Sequence, residues 1–118
     1  MKKIKYFILT AAALALIAGG CRKSTQYAAL IVTGQNTIDW QTSSILLKQI
    51  LEESGLFKAE IVNSPAAGGD MTGFRPKFSK YDVVVLNYSG DQWSENTKQD
   101  FAGYVKNGGG VVVYHAAS

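Results

Sequence analysis

The sequence predicts an α/β protein built on a parallel sheet with helices on both of its faces. Three observations carry that expectation. Four short apolar runs rich in Val, Ile, Leu and Tyr, at Tyr27–Thr33, Phe57–Asn63, Tyr81–Asn87 and Val111–Tyr114, alternate with two segments of helical periodicity. The first run is continuous in apolar character, which marks a strand covered on both sides. The order β-α-β-loop-β-α-β requires crossover connections, and these lay helices on a parallel sheet.

Each element has its own local cause. YAALIVT at Tyr27–Thr33 is a buried strand ending at Gly34. Gln41–Ser54 reads as a helix whose apolar stripe is Leu46, Leu47, Ile50 and Leu51, with Thr42 or Ser43 as the cap and Gly55 as the stop. FKAEIVN at Phe57–Asn63 alternates more, as expected of a strand near a sheet edge. Ser64–Lys80 holds both prolines and three glycines, a loop of about 17 residues, long enough to expect a functional or lid-like role. YDVVVLN at Tyr81–Asn87 is the strongest strand signal. Ser94 caps a second helix with the stripe Phe101, Tyr104 and Val105, and Gly108 stops it before the fourth strand, Val111–Tyr114. That strand is wholly apolar, so both its faces want cover, and the fold is expected to be incomplete at the C-terminus.

Composition narrows the function. Of 118 residues, 47% are hydrophobic and 18% charged, which suits a folded domain rather than a disordered tail. A single cysteine excludes an internal disulfide framework, and one Cys with one His disfavours a metal site, so none is expected. The net charge of +3 suggests nucleic acid only superficially. Lys2, Lys3 and Lys5 precede Cys21, leaving nine basic residues against nine acidic ones after it. Without a basic stripe, no nucleic-acid partner is expected.

Residues 1–20 have the layout of a secretory signal: a basic start, the apolar run Phe7–Ala18, then Gly19-Gly20. The run is shorter than the roughly 20 residues that span a bilayer comfortably. Cys21 directly after Ala18-Gly19-Gly20 resembles a bacterial lipobox, with Ala18 where Leu is usual. The expectation is cleavage before Cys21, lipidation of its thiol, and a short tether over residues 21–26 in which Arg22-Lys23 lies at the headgroups. The other reading is a plain secreted protein with an unused thiol. The domain proper is residues 27–118, in the bacterial cell envelope, membrane-anchored on the periplasmic or outer face.

Ligands of open parallel sheets bind outside the carboxyl ends of the strands. Three segments emerge there: Gly34–Trp40, Tyr88–Trp93 and His115–Ser118. Their candidate site residues are Asp39 and His115 for acid–base work, and Asn36, Trp40, Tyr88, Asp91 and Trp93 for ligand contact. Aromatic faces beside short hydrogen-bonding side chains suit a hydroxyl-rich, carbohydrate-like molecule. Each residue also has a plainer reading. Asp39 could serve only the helix N-terminus, Trp40 and Trp93 could be staples or core, Asp91 a turn residue, and His115 a structural histidine. No G-x-S-x-G, G-x-x-x-x-G-K or G-x-G-x-x-G motif is present, and the cofactor is unknown.

Taken together, ALIVTGQNTIDW (Ala29–Trp40), YDVVVLNYSGDQW (Tyr81–Trp93) and FAGYVKNGGGVVVYHAAS (Phe101–Ser118) resemble the ThuA-like (trehalose utilisation) family, which is similar in fold to class I glutamine amidotransferases. The resemblance implies a flavodoxin-like three-layer sandwich, present here as its N-terminal part, and a role in carbohydrate utilisation. It does not imply glutaminase chemistry, because Tyr114-His115-Ala116 occupies the nucleophile position. Family members commonly carry His where this chain has Ile38. The expected function is therefore binding or processing of a sugar or disaccharide by an envelope lipoprotein. The alternative is a non-catalytic binding module or an inactive fragment.

Overall fold

The structure is a computed structural model and describes residues 24–114. The expected signal peptide, Cys21 and His115 lie outside the described residues. Four parallel strands, β1 (Tyr27–Gly34), β2 (Phe57–Asn63), β3 (Val83–Tyr88) and β4 (Gly110–Val113), form one sheet in the order β2-β1-β3-β4. Helices α1 (Trp40–Glu53) and α2 (Glu95–Lys106) connect β1 to β2 and β3 to β4. This is the flavodoxin-like arrangement, and β2 is an edge strand as its alternating pattern suggested.

Alternation along the strands sorts the core into two halves. Ala29 and Ile31 of β1, with Ala59 and Val85, face α1 and meet Leu47 and Leu51. Leu30 and Val32, with Val84 and Tyr88, face the other way, onto Phe74, Phe78 and Tyr104. Ala29, Ile31, Val32 and Thr33 are wholly buried, as expected of a strand covered on both sides. The register aligns Ile31 with both Ile61 and Val85, and Thr33 with Asn87.

Several expectations are corrected. The α1 cap is Asp39, not Thr42 or Ser43, and the helix starts one residue early, at Trp40. Only half of its expected stripe is inward: Leu47 and Leu51 pack on the sheet, whereas Leu46 is 51% and Ile50 64% exposed. Ser44 takes the remaining inward position. In α2, Phe101 and Tyr104 pack inward while Val105 is exposed. The long loop is no loose lid, because it contributes Phe74 and Phe78 to the core and closes with a 3-10 turn at Phe78–Lys80. β4 is not among these corrections: its apolar residues want cover on both faces and lack it, Val111, Val112 and Val113 being exposed among the described residues.

Candidate functional site

The chain leaves β1 toward β2 on one side, and later places β3 on the other side of β1. Strand order therefore reverses between β1 and β3, and the carboxyl ends of these two strands form the crevice where such sheets take ligands. The segments Gln35–Asp39 and Ser89–Ser94 leave the sheet at this point, joined by the start of the loop after β2.

Gln35 stitches the three segments together. Its Nε2 donates to the Pro65 carbonyl at 2.7 Å, and its Oε1 accepts from the Asp91 amide at 2.9 Å. The Asp91 carboxylate accepts from the Gly68 amide at 2.7 Å, and the Tyr88 hydroxyl donates to the Asp91 carbonyl at 2.5 Å. Burial, and then the Asp91 charge, push the Tyr88 phenol upward, so it stays a neutral donor at ordinary pH. Two glycines make this contact possible. A Cβ on Gly90 would lie 2.4 Å from the Gln35 Cβ. At Gly34, φ is +115° and a Cβ would lie 2.4 Å from the Ser64 Oγ.

Beneath the rim runs a buried polar network on the α1 face of the sheet. Ser44 Oγ donates to Thr33 Oγ1 at 2.8 Å. Asn87 Nδ2 donates to the hydroxyls of Ser43 at 2.9 Å and Ser44 at 3.0 Å. Asn36 Nδ2 reaches Asn87 Oδ1 at 3.4 Å. Thr33, Ser44 and Asn87 are almost fully buried, so these bonds are their only compensation for lost water.

On the opposite face of β3, a cavity of about 390 Å³ is lined by Leu86, Tyr88, Trp93 and Phe101, with Asp91 and Lys98 adding polar groups. Trp93 also belongs to an aromatic cluster, stacked on Phe78 at 5.8 Å and edge-on to Phe101 at 5.5 Å. Its Nε1 is buried with no hydrogen-bond partner among the described residues. A larger hollow of about 810 Å³, lined by Arg75, Lys77, Tyr81 and Asp82 among others, lies at the amino edge of β3 and β4, away from the crevice.

Asp39 stands exposed at the start of α1, where its carboxylate accepts from the Thr42 hydroxyl at 2.6 Å and the Thr42 amide at 3.1 Å. These bonds, the hydroxyl's first, hold its pKa below the ordinary 3.8. The cap therefore contributes stability above the unfolded-state value and loses it as pH falls through the lowered folded value. Asp39→Asn keeps the acceptor and is expected to flatten part of the acid limb of a Tm-against-pH curve. An unchanged acid limb would show that the carboxylate does not stabilise the helix.

The structure thus joins Tyr88 and Asp91 in one bonded rim, with Asn36 in the polar network beneath it and Trp93 as a wall of the adjoining cavity. Asp39 and Trp40 lie at the same carboxyl edge, at the mouth of α1, and are not among the residues lining that cavity. Tyr114 continues the pairing of β4, its amide donating to the Leu86 carbonyl at 2.9 Å. Sequence reasoning missed Gln35, Ser43, Ser44 and Asn87. For Asn87 a signal exists, since a carboxamide that closes the apolar run VVVL needs a buried partner.

Over 79% of its length the chain is 54% identical to a protein described as ThuA-like from Parabacteroides merdae ATCC 43184, whose crystal structure it matches with a TM-score of 0.77. It spans 33% of that relative's length. No protein-family profile and no curated protein matches the chain. This match agrees with the ThuA-like resemblance carried by the three sequence blocks.

Proposed function

We propose that this chain binds a sugar or disaccharide at the carboxyl rim of its ThuA-like domain, as part of an envelope protein held to the membrane through acyl chains on Cys21. The observation that carries the binding reading is the junction of the stitched β1–β3 rim with an aromatic cavity. Tyr88, Trp93 and Phe101 offer ring faces to sugar C–H groups, while Asp91 and Lys98 offer partners for hydroxyls. At about 390 Å³ the cavity is in the range that holds a small ligand.

Asp39 suits a ligand-orienting or proton-accepting role. A carboxylate held low by Thr42 is ionised at neutral pH, so it can orient a ligand or accept a proton but cannot act as a general acid. Processing of the sugar would need His115, the residue after Tyr114, to supply that proton.

Titration of the full chain with a panel of mono- and disaccharides, followed by thermal shift and calorimetry, tests the proposal. At least one sugar is expected to raise Tm in a saturable way. Lys98→Met and Asp91→Ala should each weaken that binding about tenfold, the equivalent of one lost charge-assisted hydrogen bond. No shift with any sugar, or shifts unaffected by both substitutions, would refute the assignment of this cavity.

A further inference from the structure

We infer that the amino edge of the sheet is a membrane-apposed face, seated on an anionic bilayer surface, so that the carboxyl rim points away from the lipid. The inference rests on the lipid-anchor reading of Cys21, and it adds an orientation that the anchor alone does not specify.

Three independent features of this edge agree. Five residues separate Cys21 from Tyr27, the first residue of β1, so an anchored sulfur lies within about 20 Å of that strand's start even when the tether is fully extended. β1 is an interior strand, so the tether enters near the middle of the edge. There the exposed residues include large apolar groups. Tyr27 is 56% and Leu56 59% exposed; the Tyr27 ring packs against Phe57, and the Tyr27 amide donates to the Leu56 carbonyl. Helices antiparallel to the strands also bring the far ends of α1 and α2 to this edge, with Ile50 and Val105 exposed.

Charge is polarised along the same axis. Lys58 is the second residue of β2, Lys80 precedes β3 and Lys106 ends α2. All three are exposed and form no ion pair among the described residues. Together with Arg22 and Lys23 of the tether they suit an anionic headgroup layer, each basic group contributing about 1 kcal/mol close to such a surface. The amino edge also carries Glu52, Glu53 and Asp82; Lys48 offsets Glu52, and Glu53 and Asp82 leave these groups with a single positive charge before Arg22 and Lys23 are added. The carboxyl end carries Asp39, Asp70 and Asp91, together with Glu95 paired to Lys98, and a bilayer of the same sign would repel this excess of acid. With eight residues in β1, the rim would stand about 26 Å beyond the tethered edge, open to solutes of the aqueous compartment.

The test uses the acylated full chain in vesicles of phosphatidylcholine with phosphatidylglycerol. Its only cysteine is acylated, so a fluorescent label can be placed at Leu56→Cys on the amino edge or at Thr37→Cys on the rim. A lipid-borne quencher is expected to dim the Leu56→Cys label about two-fold or more beyond the Thr37→Cys label, as for a group at the headgroup boundary. Aqueous iodide should show the reverse order. Lys58→Glu with Lys80→Glu and Lys106→Glu should erase the contrast while the chain still floats with the vesicles. Flotation with equal quenching at the two positions would overturn the orientation and leave the anchor standing. Failure to float, with no acyl mass on Cys21, would overturn both.

Discussion

Phe78→Ala is expected to destabilise the protein by about 3–5 kcal/mol, the usual cost of emptying a buried phenylalanine site. Phe78 is only 2% exposed, and its ring lies 5.8 Å from Trp93, 5.2 Å from Phe101 and 6.2 Å from Tyr104. It belongs to neither helix nor strand of the sandwich; it sits in the 3-10 turn that ends the long loop. Its ring therefore fastens that loop to α2 and supports the indole that walls the cavity. A domain of this size has about 5–15 kcal/mol of total stability, so the variant should melt tens of degrees lower or not fold at 37 °C. Phe78→Leu refills most of the volume and should cost less than half as much. Thermal and urea denaturation followed by circular dichroism read both. A loss below about 1 kcal/mol for the alanine variant would show that the loop is not part of the core.

The contrast between that loop and the strands explains how much of the fold could be read in advance. Strands β1 and β3 announce themselves because parallel strands covered on both sides need unbroken apolar runs, and ALIV and VVVL supply them. Phe74 and Phe78 lie in a stretch with no period, so nothing local says that their rings turn inward. Helix α1 shows a different limit. Leu46, Leu47, Ile50 and Leu51 form one stripe on paper, but the sheet admits a narrower one centred on Ser44, Leu47 and Leu51, leaving Leu46 and Ile50 on the shoulder. The apolar count was right and the angle was not, because the angle is set by how the helix docks.

The rim follows the same division. That Asn36, Asp39, Tyr88 and Asp91 share one edge follows from parallel strands, legible in the element sequence, whereas the reversal of strand order between β1 and β3 comes from the observed order β2-β1-β3-β4. The role of Gln35 is not legible, since it depends on a side-chain amide reaching Pro65 and Asp91 across three loops. In sequence Gly90 is one more glycine between a strand and a helix. Its meaning comes from the Gln35 side chain lying where its Cβ would be.

Asn87→Leu separates the two halves of the site, because it removes hydrogen bonds while nearly preserving volume. Asn87 is 1% exposed and gives both protons of its amide to Ser43 and Ser44, while its carbonyl receives Asn36. Leucine leaves the two serine hydroxyls short of a donor in a place water does not reach. The expected cost is about 2–4 kcal/mol, the sum of lost bonds and the desolvation of groups left unpaired. Ser43→Ala with Ser44→Ala in the same background removes those orphaned hydroxyls, so the triple variant should recover part of the loss, although Thr33 then loses its own partner. Such a departure from additivity is the signature of a coupled network, and denaturation of the three backgrounds measures it. If the single and triple variants instead lose stability additively, the Asn87 amide acts alone and the network does not hold the β1 and β3 ends of the crevice together. Sugar affinity adds a second readout. With Asn36 released from Asn87 the rim loses one anchored hydrogen-bonding group, whereas the wall formed by Tyr88, Trp93 and Phe101 on the other face of β3 stays in place. Residual but weakened binding is therefore expected, and complete loss would mean that the polar network, rather than the aromatic wall, supplies most of the affinity.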